Sequence, residues 1–440
     1  MKFWFKLALL IVGIVLLSIY HPKRQIIPCV KLGIDVLEER NFDILQQKNI
    51  GILTNNAGID SKGVQTWKVL KNAPGVNLKA IFAPVHGLKG NFMSLETFFD
   101  DEVDDIPIYS VYASNSRPKD KWLQGLDAVV VDLQGIGTRF YNYWAFMIYV
   151  MAACFENNIE VIVLDRPNPL GGHYVGGAPM DPENTSIWGP IPGMPLFHGM
   201  TIGELARYCK EIPEGITAHQ QIVTGVIHSG LSVSAETLRS GKLTIIPMEG
   251  WTRDMIWENT GLKWVQTSPN IPNLQSAHEY AVTAPMFLLT SNFELDCCNF
   301  LKSEPDWGQN LPFHEFSSRY TVPQNIVQYV SDILKGRPSS GFSLEVSRKN
   351  PNLVEIKVTN IRRTVPGFLG LVMIALAQRH TKFYFYNEDS LRTFGTHIGD
   401  NELLQKLVQM ERIQIQYFEE KWKKSTAAFV EKTKPFYLYE

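Results

Sequence analysis

The chain has 440 residues, 45% hydrophobic and 20% charged, with a formal net charge of −2. That balance describes a globular body rather than a disordered or fibrous one, and it lacks the basic excess of a nucleic-acid binder. The length exceeds what one ordinary core uses, so two domains are expected.

Residues 1–24, "MKFWFKLALLIVGIVLLSIYHPKR", set Lys2 and Lys6 before an apolar run from Leu7 to Ile19, with Lys23 and Arg24 after it. The run is shorter than the roughly 20 residues of a membrane span and fits a signal h-region of about 7–15. No small-x-small cleavage site follows, so both a signal peptide and an uncleaved signal anchor stay open. Either reading places the chain outside the cytoplasm, in the periplasm or cell envelope, with attachment to the inner membrane in the anchored case. The cysteines (Cys29, Cys154, Cys209, Cys297, Cys298) form no CxxC and no metal-type spacing. Cys154, inside "YVMAACFENN", reads as a buried free thiol.

From Val30 to about Pro169, apolar strand-like runs alternate with helical ones. The strands are expected at 50–56, 78–85, 106–112, 126–133 and 160–165. The helices are expected in "VQTWKVLKN", "PKDKWLQG" and "YNYWAFMIYVMAACFENN". Runs such as "AVVV" and "VIVL" are apolar on both faces, as strands covered by helices on each side must be. The alternation predicts a mostly parallel sheet with right-handed crossovers. A Pro- and Gly-dense excursion follows, from "DRPNPLGGHYVGG" through "WGPIPGMPLFHGMTIGE", of a length that usually serves function. "TIGELARYCKE" then reads as a helix with Thr201 as N-cap and Glu204 at capping-box spacing. The C-terminal part offers strands ("FSLEV", "LVEIKV") and helices ("LGLVMIALAQRH", "LLQKLVQMERIQIQYFEEKW"). The expected division is therefore 30–280 and 281–440, the second a smaller α/β domain.

Ligands of open parallel sheets bind outside the carboxyl ends of the strands. Asn55–Asn56, His86, Asp132 and Asp165 all stand at such ends, which predicts one shared rim; singly, each also suits a turn or a helix cap. Beyond Asp132 come Gln134, Arg139, Tyr141 and Tyr143. Arg139 can clamp a carboxylate bidentately and the tyrosines suit a sugar, although one of them is expected to pack inside. "VLDRPNPLGG" adds Arg166 and Asn168, and "FHGMTIGE" adds His198 and Glu204, the latter reading first as a capping residue. There is no HExxH, P-loop or dinucleotide fingerprint, so neither a metal nor a cofactor is expected.

The motifs "VKLGIDVLEE", "IGILTNNAGID", "IFAPVHGLKG", "DLQGIGTRFYNY", "VLDRPNPLGG", "HGMTIGELA", "WTRDMIWENTGLKWVQTSPNIPN" and "FYLYE" occur in order. With them the chain resembles the NamZ-type exo-β-N-acetylmuramidase family over residues 32–440. The resemblance implies a Rossmann-like, mostly parallel sheet domain followed by a smaller α/β domain, with the active-site cleft between them. It implies removal of β-1,4-linked N-acetylmuramic acid from the non-reducing ends of peptidoglycan fragments, without metal or cofactor. The implied catalytic candidates are Asp132, His86 and Glu204. Substrate-binding candidates are Asn56, Arg139, Tyr141, Asp165, Arg166, Asn168 and His198, with Arg139 or Arg166 engaging the lactyl carboxylate. The chain also departs from the family pattern. Val85 stands where the family's "PEHG" has its glutamate, Gly135 where "QD" has its aspartate, Leu289 at the glutamate of "EGTN", Cys297 near the arginine of "GRGT", and Lys89 at another arginine. Glycoside hydrolysis usually needs a carboxylic acid to protonate the leaving oxygen and a second group across the ring. Valine can supply neither, which leaves two readings: a muramidase with its activity in doubt, in which Asp132 or Glu204 takes over the acid/base work, and a catalytically inactive relative that binds peptidoglycan fragments or an envelope partner.

Overall fold

Strands that are apolar on both faces must lie between two layers of helix, and that is the arrangement found. The computed structural model describes residues 30–92, 100–112, 116–214, 216, 221–223, 226–228, 233–290, 315–316, 322–335, 337, 341–380 and 394–440. The apolar N-terminal run, Cys29, Cys297 and Cys298 lie outside the described residues. Among the described residues no helix is long and apolar enough to cross a membrane.

Seven strands form the main sheet: β1 (Asn49–Thr54), β2 (Asn77–Ala83), β3 (Asp101–Val103), β4 (Ile106–Ser110), β5 (Ala128–Asp132), β6 (Glu160–Leu164) and β7 (Leu243–Ile246). Their spatial order is β7-β6-β5-β1-β2-β4-β3. Every neighbouring pair is parallel except β3 against β4. The chain begins in the middle at β1, builds outward through β2 and β4, then returns to lay β5 on the other side of β1. The reversal between β1 and β5 opens a crevice at their carboxyl ends, and the pairing of Thr54 with Asp132 holds those ends level.

One face of the sheet is covered by α3 (Tyr143–Glu156), in which every residue from Tyr143 to Phe155 is buried. A helix apolar all round has no solvent face to keep. It packs beside α4 (Ile202–Glu211). The other face carries α1 (Gly33–Glu39) and α2 (Thr66–Asn72). A Cβ at Gly33 would sit 2.5 Å from Asp165 N and 2.7 Å from Ile246 O, so only glycine lets α1 start against the ends of β6 and β7.

The C-terminal part holds an antiparallel sheet of Glu315–Phe316 (β8), Phe342–Val346 (β9) and Val354–Val358 (β10), with β10 central. Around it stand α5 (Leu274–Thr290), α6 (Pro323–Leu334) and α7 (Phe368–His380). Its core is continuous with the Pro- and Gly-dense excursion: Val354, Ile356 and Leu371 share one apolar cluster with Phe140, Leu170 and Phe197. The single helix expected over 403–422 is two, Asn401–Val408 and Ile415–Thr433, with Met410 at φ +58 between them. Cys154 and Cys209 are buried free thiols.

Candidate active site

The carboxyl edge of the sheet is crowded with buried charge, and each charge is met. Asp132, at the end of β5, is fully buried. One of its oxygens accepts from Arg166 Nη2 at 2.8 Å, while Arg166 Nε and the hydroxyl of Thr66 also donate to the carboxylate. Arg166 Nη2 further donates to the carbonyl of Ile59 at 2.5 Å. The pair thereby ties the ends of β5 and β6 to the loop leading into α2. Both oxygens of Asp132 are engaged, so the geometry gives this residue an anchoring part rather than the acid/base part expected of it. The guanidinium of Arg166 is likewise engaged, not extended toward a lactyl carboxylate.

Asp165, one residue past β6, is equally buried. Its Oδ1 accepts from Gly203 N at 2.8 Å and Arg166 N at 2.9 Å; its Oδ2 accepts from the Thr201 hydroxyl at 2.8 Å and the Tyr439 hydroxyl at 2.6 Å. Burial pushes its carboxyl up to about 6 against those four donors, helped by neighbouring Glu204. Glu204 completes a capping box with Thr201, whose backbone N it accepts from at 3.0 Å. It also pairs with Arg253 Nη1 at 2.9 Å and accepts from Leu438 N at 2.9 Å. Burial raises its carboxyl as well. Arg253 lies against the Tyr437 ring, 3.5 Å from its centroid. Asp165 and Glu204 therefore form one buried cluster that fastens residues 437–439 to the sheet edge, so Glu204 is a cap and ion-pair partner rather than a proton donor.

Three further candidates are taken up locally. Asn168 Oδ1 accepts from Leu170 N at 3.0 Å and its Nδ2 donates to Met200 O at 3.2 Å, stabilising the turn after β6. His198 Nδ1 accepts from Met200 N at 3.1 Å, which places the ring proton on Nε2. Burial drops its imidazole to about 3, so at neutral pH it carries no charge. Arg139 is fully buried and spends its guanidinium on backbone carbonyls: Ala178 at 2.9 Å and Met194 at 2.6 Å through Nη1, His397 at 2.8 Å and Ile398 at 3.0 Å through Nη2. A guanidinium so occupied is not available to clamp a substrate carboxylate, contrary to the expectation from sequence.

The open space lies just above this layer. Val85, His86, Tyr141, Asn142, Trp188, Ser268, Asn270 and Tyr280 are among the residues lining a cavity of about 70 Å³. A smaller chamber of about 20 Å³ adjoins it across Tyr141 and is lined by Gly135, Arg166, Asn168 and His198. Among the described lining residues of the larger cavity there is no carboxylate. Val85 is 6% exposed and packs into the core cluster beneath. His86 has φ +72, a conformation unusual for a side chain with a Cβ and of the kind that clusters at functional sites. It is held by Phe92, whose carbonyl accepts from Nδ1 at 2.6 Å and whose N donates to the His86 carbonyl at 3.3 Å. A carbonyl only accepts, so Nδ1 bears a proton in this contact.

The opposite wall, residues 266–271, is fastened by three of the side chains singled out from sequence. Asn56 Nδ2 donates to Gln266 O at 2.5 Å, the Tyr141 hydroxyl to Thr267 Oγ1 at 2.7 Å and the Tyr143 hydroxyl to Thr267 O at 2.6 Å. Tyr143 is the more buried tyrosine, at 1% exposure; both line the cavity, and burial pushes the Tyr141 hydroxyl up to about 12. Of the residues singled out from sequence, His86, Tyr141 and Tyr143 thus line this cavity. Arg166, Asn168 and His198 line the chamber, and Asn56, Asp132, Arg139, Asp165 and Glu204 support the walls. Asn142, Trp188, Ser268 and Tyr280 were not singled out. Trp188 arrives from the irregular excursion, where no periodicity marks it. Among the described residues no cluster of three His, Cys, Asp or Glu stands in metal-binding geometry.

A doubly wound sheet with a cavity beside its switch point defines an α/β scaffold of the kind on which many chemistries are built. The family profile described as "Exo-beta-N-acetylmuramidase NamZ, N-terminal" matches residues 50–275, and the chain belongs to this family. The peptidoglycan β-N-acetylmuramidase NamZ of Bacillus subtilis (strain 168) is 35% identical over 258 residues, a stretch that makes up 58% of this chain and 56% of that protein. The match thus spans little more than half the length of that relative. The crystal structure of a DUF1343 family protein from Bacteroides fragilis NCTC 9343 superposes with a TM-score of 0.75 at 27% identity, covering 93% of this chain and 99% of that one. A second DUF1343 structure from the same organism, at 23% identity and a TM-score of 0.64, shares the fold over the same 93%.

Two stability predictions follow from the buried charges. Asp132→Ala leaves Arg166 buried without its carboxylate, and the expected loss is about 3–5 kcal/mol in denaturant unfolding. Asp165 holds its proton more tightly folded than unfolded between its ordinary value of 3.8 and about 6. By linkage its contribution to stability falls as pH rises through that window, by about 3 kcal/mol in all. Unfolding free energies at pH 4 and pH 7 should therefore move in favour of Asp165→Asn, relative to the unsubstituted chain, as pH rises.

Proposed function

We propose that this chain takes the N-acetylmuramic acid ends of peptidoglycan fragments into the cavity beside His86, and that it has lost the hydrolytic rate of an exo-β-N-acetylmuramidase. The observation that carries this reading is the cavity wall: the family's sheet and rim are present, while the described lining holds Val85 beside His86 and no carboxylate. General acid–base assistance is worth about 10²–10⁴-fold, and the buried carboxylates nearby are each committed to other partners. The reading includes a division of the chain near residue 280. It also includes export to the periplasm or cell envelope by the N-terminal segment, which as an uncleaved anchor would hold the binding site near the membrane.

The test is turnover of a chromogenic N-acetylmuramide by the soluble part of the chain. The expected result is a rate at least about 100-fold below that of an active family enzyme, with measurable hydrolysis regained in Val85→Glu/Gly135→Asp. A Cβ at Gly135 meets nothing within 4 Å, so the second substitution has room. Turnover at a family-like rate by the unsubstituted chain overturns the proposal.

A further inference from the structure

Asn142 is the N-cap residue of α3, the position where asparagine ordinarily accepts a hydrogen bond from the first turn. Here it makes no side-chain cap bond. It is 5% exposed, it lines the cavity beside His86, and its buried Nδ2 has no hydrogen-bond partner among the described residues. A buried amide left unpaired costs about 1–3 kcal/mol, so a side chain that forgoes a cap and stays unpaired beside a cavity is set for a ligand acceptor.

Across the same cavity stands Trp188, at the tip of a tight turn closed by paired bonds between Ser186 and Gly189. Its ring stacks on His397 with centroids 4.8 Å apart and planes 28° from parallel. Arg139 lies beneath both. A Cβ at Gly189 would come within 2.9 Å of Arg139 Cδ, and one at Gly399 within 2.7 Å of Arg139 Nη2, while the guanidinium holds the His397 and Ile398 carbonyls. The charge read from sequence as a substrate clamp thus fixes the relative placement of two rings from distant parts of the chain.

The Trp188 ring at one wall and an unpaired amide donor at another suit a pyranose bearing an acetamido group. Its C–H face needs an aromatic surface and its amide carbonyl needs a donor. We propose that Asn142 Nδ2 donates to the acetamido carbonyl of an N-acetylhexosamine ring lying against Trp188, with Arg139 as the positioning residue for the Trp188–His397 stack. This rests on the reading above for the identity of the sugar, and makes Asn142 the residue that tells an N-acetylated ring from one without the acetyl group.

The experiment is calorimetry on the soluble chain with N-acetylmuramic acid, muramic acid and N-acetylglucosamine, with tryptophan fluorescence read in parallel. The unsubstituted chain is expected to favour N-acetylmuramic acid over muramic acid by about tenfold. Asn142→Ala should bring the two within about twofold while its melting temperature does not fall, and Asn142→Ser should behave likewise. Trp188→Phe should keep the preference and lose most of the fluorescence change. Arg139→Lys should weaken every acetylated sugar while leaving the Asn142-dependent preference in place. An unchanged preference in both Asn142 variants overturns the inference, even if N-acetylmuramic acid binds. Asn142-dependent binding of N-acetylglucosamine alone upholds it and overturns the muramic-acid reading instead. No binding of any acetylated sugar overturns both.

Discussion

Buried carboxylates must be paired, and the architecture at the carboxyl edge of the sheet is the answer to that constraint. Asp132 and Asp165 end adjacent strands with no exposure to solvent, where an unpaired charge would cost several kcal/mol. Arg166 follows Asp165 directly in sequence and reaches back to Asp132, so one ion pair closes the ends of β5 and β6. Asp165 and Glu204 then gather donors from as far away as Tyr439 and Leu438. The apparent catalytic cluster is in this account a foundation. It levels the rim on which the cavity is built and fastens the C-terminal residues to it.

The cavity above has a different chemistry from its foundation. Tyrosines, Trp188 and Asn142 face it, together with a histidine held in a left-handed backbone conformation. Rigid aromatic walls and a few placed polar groups suit recognition. Hydrolysis asks in addition for a titratable acid near the scissile bond, and at the position next to His86 the chain carries Val85, packed into the core. Binding and bond cleavage draw on separate parts of such a site, so one can persist without the other.

Much of this was legible in the sequence. Apolar runs marked β1, β2, β4, β5 and β6, because a two-sided buried strand leaves a continuous signature. The four-residue "LTII" of β7 and the three residues of β3 are too short to leave one. The helix expected across 403–422 breaks because Met410 takes a positive φ, a feature of backbone conformation that apolar spacing does not reveal. Strand-end residues were rightly expected to share one rim. Their individual parts were harder to read, since what decides them is a partner far along the chain. Arg139 is committed to carbonyls at 397 and 398, and Asp165 to the hydroxyl of Tyr439. Asn142 was passed over because its sequence context is an ordinary helix start; only its missing cap bond sets it apart.

The central claim is that ligand recognition is kept while cleavage is lost, and a structure of the chain soaked with a β-1,4-linked N-acetylmuramyl disaccharide tests it most directly. The account predicts an intact disaccharide in the cavity between His86 and Trp188, its glycosidic bond unbroken after long exposure. A cleaved product in that cavity, or a disaccharide bound elsewhere on the molecule, would contradict it.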